Sequence, residues 1–283
     1  MSAPSSGELA VFSEAAVRLA MSAGRELLDC RRRGVVAESK GVRRELVTAA
    51  DRAAEHVVVD GLQRAFPEHA VLAEEGVLTT RGEPSSASEW LWIVDPLDGT
   101  TNYVHGIPFY CVAIALAHRG EPVVGVVHAP ELGETYVASK GAGATRTTQA
   151  GEVRRLQVSS AAAIEDALLA TGFSYNRNEP GRDDNTRSVA HVLPRCRDLR
   201  RLGSAELDLC LVASGVYDGY WERYLQPYDV AAGAVIVREA GGAVSDYDGG
   251  RDWLFGDSVV ATNGLVHPEL LGLLRGARGG APT

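Results

Sequence analysis

The chain has 283 residues, with 28 Lys and Arg against 37 Asp and Glu and a formal net charge of −9. That is the composition of an ordinary globular protein, long enough for one broad domain or two of moderate size, and it disfavours nonspecific binding to nucleic acid. No apolar run approaches the length of a membrane span and no basic-then-apolar leader opens the chain, so a cytoplasmic protein is expected.

From Ser6 to Arg33, Leu9, Phe12, Ala16, Leu19, Ala23 and Leu27 recur at near-helical spacing and predict a long amphipathic helix. A second helix is expected from about Asp51 to Ala65, ended by Pro67. Strand-like runs follow at Ala70–Ala73, Leu91–Val94, Tyr110–His118, Val123–Ala129 and Glu134–Val137. Their short turns, at His118-Arg-Gly-Glu-Pro and Pro130-Glu-Leu-Gly, predict an antiparallel sheet. The Gly- and Thr-rich segment from Lys140 to Glu152 closes this half. Beyond it strands are expected at Ala167–Thr171, Asp198–Leu202, Gly219–Glu222 and Ser258–Ala261, and helices at Asp184–Leu193, Ala205–Ser214 and Asp229–Ala240. The layout predicts an α+β unit over 1–153 and an α/β unit over 154–283. Cys30, Cys111, Cys196 and Cys210 form no Cys-x-x-Cys pair and read as buried free thiols. Arg31–Arg33 and the Arg195–Arg201 stretch read as solvated or matched to helix dipoles.

The most informative stretch is Trp90 to Gly106. Leu91–Val94 reads as a buried strand, Pro96 as the residue that stops its ladder, and Gly99 as a tight turn before a short helix opening at Thr100 or Thr101. Asp95 and Asp98 then converge at the end of the strand, and the Leu97 carbonyl between them offers a third oxygen. The N–H groups of Gly99 and Thr100 suit an anionic oxygen. Oxygen donors with few nitrogens or sulfurs favour magnesium. Taken alone, Asp-Gly-Thr-Thr-Asn is also an ordinary strand-to-helix turn with a threonine N-cap.

The whole string Asp95-Pro-Leu-Asp98-Gly-Thr-Thr-Asn resembles the metal-binding signature of the inositol monophosphatase family. Further segments resemble that family in the same order. They are Glu45-Leu-Val-Thr-Ala-Ala-Asp51, Ala73-Glu74-Glu75-Gly76, Arg201-Leu-Gly-Ser204-Ala205, Tyr220-Trp-Glu222, and Pro227-Tyr228-Asp229 through Gly242. The likeness runs from about Phe12 to Leu270. It implies an α/β (α+β) fold, a five-layered α-β-α-β-α sandwich with the site between its halves. It also implies a magnesium-dependent, lithium-sensitive phosphomonoesterase, a homodimer like many relatives, acting on inositol 1-phosphate or a similar polyol phosphate.

Under that resemblance the metal shell is Glu74, Asp95, the Leu97 carbonyl, Asp98 and Asp229, with Asp95 bridging two magnesium ions roughly 3.5–4 Å apart. Gly99 and Thr100 face the phosphate. A Thr100–Asp51 dyad orients and deprotonates the attacking water, because a bond from the Thr100 hydroxyl to Asp51 leaves the threonine oxygen free to accept. Asp98, Ser204, Ala205 and Glu222 contact the sugar. Each residue also has a plainer reading: a surface turn for Glu74, a helix N-cap for Asp51 and for Asp229. Lys40 matches a lysine on a mobile flap in relatives, yet a lone lysine in Glu-Ser-Lys-Gly reads as solvated. Two departures stand out: Tyr228 replaces the usual tryptophan, and Glu206, where a small apolar residue is usual, is expected to face solvent. Histidinol phosphate, another sugar phosphate or a specialised metabolite are alternative substrates. A binding protein of the transcription machinery with vestigial catalysis is the alternative function.

Overall fold

A computed structural model describes residues 4–34, 37–39, 46–76, 88–175, 179 and 182–279; Lys40 lies outside them. Helix α1 (Ser6–Arg33) opens on a reciprocal cap, in which Ser5 Oγ accepts from the Glu8 N–H at 3.3 Å and Glu8 accepts from the Ser5 N–H at 2.9 Å. Strands β1 (Ala37–Ser39) and β2 (Leu46–Thr48) pair and lead into α2 (Ala49–Ala65). The cap of α2 is Thr48, and Asp51 is the third helical residue, so the N-cap reading of Asp51 does not hold.

The next strands are β3 (Ala70–Ala73), β4 (Trp90–Asp98), β5 (Cys111–His118), β6 (Glu121–Ala129), β7 (Glu134–Ser139), β8 (Gly143–Thr148) and β9 (Val153–Arg155), with the short helix α3 (Thr100–His105) after β4. Among the described residues they form a seven-stranded sheet in chain order. It is not purely antiparallel, since β3 runs parallel to β4. The Gly- and Thr-rich segment does not end the sheet either, because its threonines pair as β8 and β9 follows.

A second sheet is built from β10 (Leu168–Thr171), β11 (Asp198–Arg200), β12 (Gly219–Arg223), β13 (Ala243–Ser245) and β14 (Ser258–Thr262), in the order β11-β10-β12-β14-β13. Between its strands run α4 (Thr186–Val192), α5 (Ala205–Ala213) and α6 (Ala231–Glu239), and α7 (His267–Gly279) follows β14.

Side-chain parity stacks these elements into layers. Along β4 and β5, Trp92, Val94, Val112, Ile114 and Leu116 pack with Ala16, Ala23, Leu27, Val58 and Leu62 of α1 and α2. Their neighbours Leu91, Ile93, Ala113 and Ala115 pack with Leu207, Leu209, Val235 and Ile236 of α5 and α6. The second sheet repeats the device: Ala170, Tyr220, Val259 and Ala261 face α5 and α6, whereas Leu169, Trp221 and Val260 face Val192 of α4 and Leu270, Leu271 and Leu274 of α7. The result is α-β-α-β-α, with α5 and α6 as the central layer.

Gly125 of β6 sets the spacing at that layer. A Cβ there would drive into the backbone carbonyl of Ala232 in α6, which cannot swing aside. Gly125→Ala is therefore expected to cost about 1–3 kcal/mol of stability, read as a lower Tm in thermal denaturation. An unchanged Tm would mean the two layers separate without cost.

Candidate active site

Asp95 and Asp98 are three residues apart, so a regular strand would send them to opposite faces. The pairing of β4 with β5 steps from Asp95–Ala113 to Asp98–Cys111, one residue more on β4 than on β5. This bulge reverses the alternation. Leu97 falls into the core against α1 and α2, leaving its backbone to line the pocket, and Asp98 turns to the α5 side. Pro96 thus does not end the strand; it sits where the ladder is interrupted and a missing N–H costs nothing.

At the α5 end, Asp98 accepts from Ser204 Oγ at 2.6 Å and from the N–H groups of Glu206 at 2.8 Å and Ala205 at 3.3 Å. It is a carboxylate on a helix N-terminus. Asp95 Oδ1 accepts from the Leu97 N–H at 2.9 Å. Asp229 lies in a single 3-10 turn, Pro227–Asp229, where it accepts from the Gln226 N–H at 2.6 Å; α6 starts only at Ala231, so Asp229 precedes that helix instead of opening it. Glu74 follows β3 and lines the same pocket, while Glu75 does not, and the Glu75 N–H donates to the buried Glu55 carboxylate at 2.7 Å.

Burial and mutual repulsion govern the charge here. Asp95 is pushed well above the usual carboxylate range by burial first, then by Glu74, Asp98 and Asp229. Asp229 is raised by burial and by Glu74. Asp98 is raised by burial against the donors on α5, which lower it. Among the described residues, no three His, Cys, Asp or Glu side chains are already gathered as a metal shell, because these oxygens are turned toward protein donors. The donor set nevertheless fits a hard divalent cation: Glu74, Asp95, Asp98, Asp229 and Leu97 line one pocket, no histidine or cysteine among the described residues lines it, and the repulsion calls for positive charge.

Behind this cluster, Thr100 Oγ1 lies 3.1 Å from Asp51 Oδ1 and 3.1 Å from the Leu97 carbonyl. Asp51 Oδ2 accepts from the Thr48 N–H at 2.7 Å and the Thr48 hydroxyl at 2.6 Å. Thr100 lines the pocket and Asp51 does not, so Thr100 stands between Asp51 and the pocket. Burial raises Asp51 against the bonds from Thr48. Gly99 takes φ 94° as the cap of α3, and a Cβ there would meet the Phe109 carbonyl at 3.0 Å, so the turn requires glycine.

On the opposite wall, Glu222 of β12 is buried, accepts from the Tyr220 hydroxyl, and is raised to about 7, chiefly by burial. Gly172 makes room for it, since a Cβ at 172 would overlap the Glu222 carboxylate. Ser204 and Ala205 line the pocket, but both already donate to Asp98. Glu206 is not solvent-facing. It is fully buried, and its carboxylate accepts from the N–H groups of Ala232 and Gly233 in the first turn of α6, a helix whose N-cap, Val230, offers no side-chain bond. Glu206 supplies that cap from α5.

Of three further contributors, Asn102 and Arg201 stand within the sequence motifs without assigned roles, and Asp208 is not singled out there. Asn102 Nδ2 donates to Phe109 O at 2.7 Å and Leu202 O at 2.8 Å, tying α3 to the segment before α5. Arg201 and Asp208 line the pocket beside Glu222. All four cysteines are free; Cys111 and Cys210 are buried, Cys30 and Cys196 partly so. No helix among the described residues is long and apolar enough to cross a membrane.

The arrangement has close relatives. An inositol-1-monophosphatase of Synechocystis is 41% identical over 267 residues, covering 94% of this chain and 89% of the relative. A protein of Pseudomonas aeruginosa named Nus factor SuhB is 41% identical over 259 residues, covering 90% and 93%. The solved inositol monophosphatase of Anabaena superposes with a TM-score of 0.83 at 39% identity, covering 95% of this chain and 96% of that one. The inositol monophosphatase family model matches residues 8–278. With that match over nearly its whole length and the layered α/β fold shared with solved members, the chain is an enzyme of the inositol monophosphatase family.

Proposed function

We propose that this protein is a magnesium-dependent phosphomonoesterase acting on inositol 1-phosphate or a similar polyol phosphate. The observation that carries the reading is the convergence on one pocket of Glu74, Asp95, Asp98 and Asp229 with the Thr100–Asp51 hydrogen bond behind them. Those four carboxylates and the Leu97 carbonyl would hold the magnesium. When bound, the metal supplies Lewis-acid polarisation of the phosphoryl group and charge neutralisation for the departing oxygen.

The chain's own groups account for the rest. The Thr100 hydroxyl donates to Asp51, so its oxygen accepts from the attacking water, and the proton is relayed to Asp51. The N–H groups of Gly99 and Thr100 hold phosphate oxygens. Asp98, Ser204, Ala205 and Glu222 form the wall that receives the polyol. Glu74 serves the metal and Glu75 does not. A homodimer working in the cytoplasm completes the reading.

A phosphate-release screen over inositol, histidinol, sugar and nucleotide monophosphates tests it. Activity is expected with magnesium, loss in excess chelator, return on adding magnesium, and inhibition by lithium. Full activity in chelator would end the metal assignment. A second reading, a binding protein of the transcription machinery, is favoured by the relative named Nus factor SuhB. The complete carboxylate set supports the enzyme, since a pure binding module has no need to keep mutually repelling acids buried together.

A further inference from the structure

Asp208 stands apart from the other acids of the pocket. Asp98, Asp95, Asp229 and Glu222 each accept at least one protein hydrogen bond. Asp208 is only 2% exposed, lines the pocket from α5, and its Oδ1 is buried with no hydrogen-bond partner. A bare buried carboxyl oxygen is costly, and more so here because Asp98 and Glu222 repel its charge while Arg201 offsets it.

The Tyr220 hydroxyl, a neutral donor on this wall, is committed to Glu222. Burial, with Asp98 and Glu222 beside it, holds Asp208 well above the usual carboxylate range, and the carbonyl oxygen of a neutral carboxyl still accepts, so a bound molecule is the source of the donor that satisfies Oδ1. Arg201 already supplies a cation beside it, which leaves a neutral hydroxyl as the matching partner. We propose that Asp208 is a specificity-determining residue that accepts a hydroxyl of the substrate's alcohol half, working beside Glu222 to favour phosphomonoesters with hydroxyls on adjacent carbons. This rests on the phosphatase reading above.

The test uses the full chain with magnesium, comparing inositol 1-phosphate with phenyl phosphate, which carries no hydroxyls. Asp208→Leu keeps the approximate shape, removes the acceptor and relieves the buried polar group. It is expected to lose roughly 10–100-fold in kcat/KM on inositol 1-phosphate, mainly through KM, as the loss of one buried hydrogen bond implies. Phenyl phosphate turnover should stay near wild type, and the Tm should not fall. Asp208→Asn, which keeps one acceptor oxygen, should lose less, and it carries the comparison if the leucine variant does not fold. Equal losses on both substrates, or no loss on inositol 1-phosphate, would overturn the assignment. Wild-type protein that hydrolyses no phosphomonoester at all would instead overturn the proposed function, a result distinguishable from an active wild type with indifferent variants.

Discussion

Asp51→Asn is expected to lower turnover by roughly 10²–10⁴-fold, the usual loss for a positioned base, with little change in substrate affinity. The hydrogen-bond directions explain why. Asp51 Oδ2 faces two donors from Thr48, so an asparagine must place its carbonyl oxygen there and present its NH₂ to Thr100. The Thr100 hydroxyl then turns its hydrogen to the Leu97 carbonyl, 3.1 Å away, and its oxygen is occupied by the new amide instead of open to water. The fold keeps the Thr48 cap of α2, so stability should change little. Steady-state kinetics with a magnesium titration check this. Near-normal turnover would remove the dyad from the mechanism and leave Glu74 as the better candidate for orienting the water.

Asp95→Asn is expected to abolish most activity and, at the same time, to make the metal-free protein more stable at neutral pH. Asp95, Asp98 and Asp229 all have folded-state pKa values raised above the unfolded ones. Between those two values the folded form holds more protons, so stability falls as pH rises through the window. The histidines run the other way. His128, lowered to about 4 by burial, contributes stability that grows as pH rises from about 4 to 6.5, and is complete above that. Comparisons above about pH 6.5 therefore keep the His128 gain out of the slope. As pH rises from the ordinary carboxylate range toward the raised values, the metal-free wild type should lose Tm, and magnesium should restore it by about 2.7 kcal/mol at a hundredfold excess over Kd, several degrees for a chain this long. Asp95→Asn should lessen the metal-free pH slope, which Asp98 and Asp229 still carry, and lose the magnesium shift, whereas Glu75→Gln should leave both largely in place. Equal effects of the two variants in calorimetric scans would mean the wrong glutamate has been assigned to the pocket.

Much of this was legible from one chain. The string from Asp95 to Asn102 names the site because few other roles need two acids, a proline and a glycine at that spacing, and the periodicity of α1 and the strand runs gave the layers their members. The bulge was not legible: a proline after Asp95 is equally consistent with the end of a strand, and only the partner strand shows the ladder resuming at Asp98. Glu206 was misjudged because a charged residue near a helix start usually meets water. The signal against that lay in the helix itself, Ala205-Glu-Leu-Asp-Leu-Cys-Leu-Val-Ala213, which is apolar nearly all round and therefore enclosed on every side. The same clue would have found Asp208. Strand β8 escaped because glycine and threonine read as turn residues until a neighbouring strand pairs them, and β9 because three residues, Val153-Arg-Arg155, are too few to show an alternation. Helix α7 did carry the spacing of Leu270, Leu271, Leu274 and Ala277, so there the pattern was present but unread.

The extra residue in β4 makes the site depend on counting as well as on chemistry. Position 97 shows the pocket only its backbone, so many apolar side chains that fit against α1 and α2 would serve there. What the interval cannot absorb is an added residue: with one more between Asp95 and Asp98, the single bulge leaves them on opposite faces, and Asp98 swings away from the start of α5 although every acid is still in the chain. Ser204, Glu206 and the turn at Gly99 would then be holding places for a carboxylate that no longer arrives. The interval behaves as a reading frame written in backbone, one that an identity score treats as a single gap and the pocket experiences as the loss of a wall.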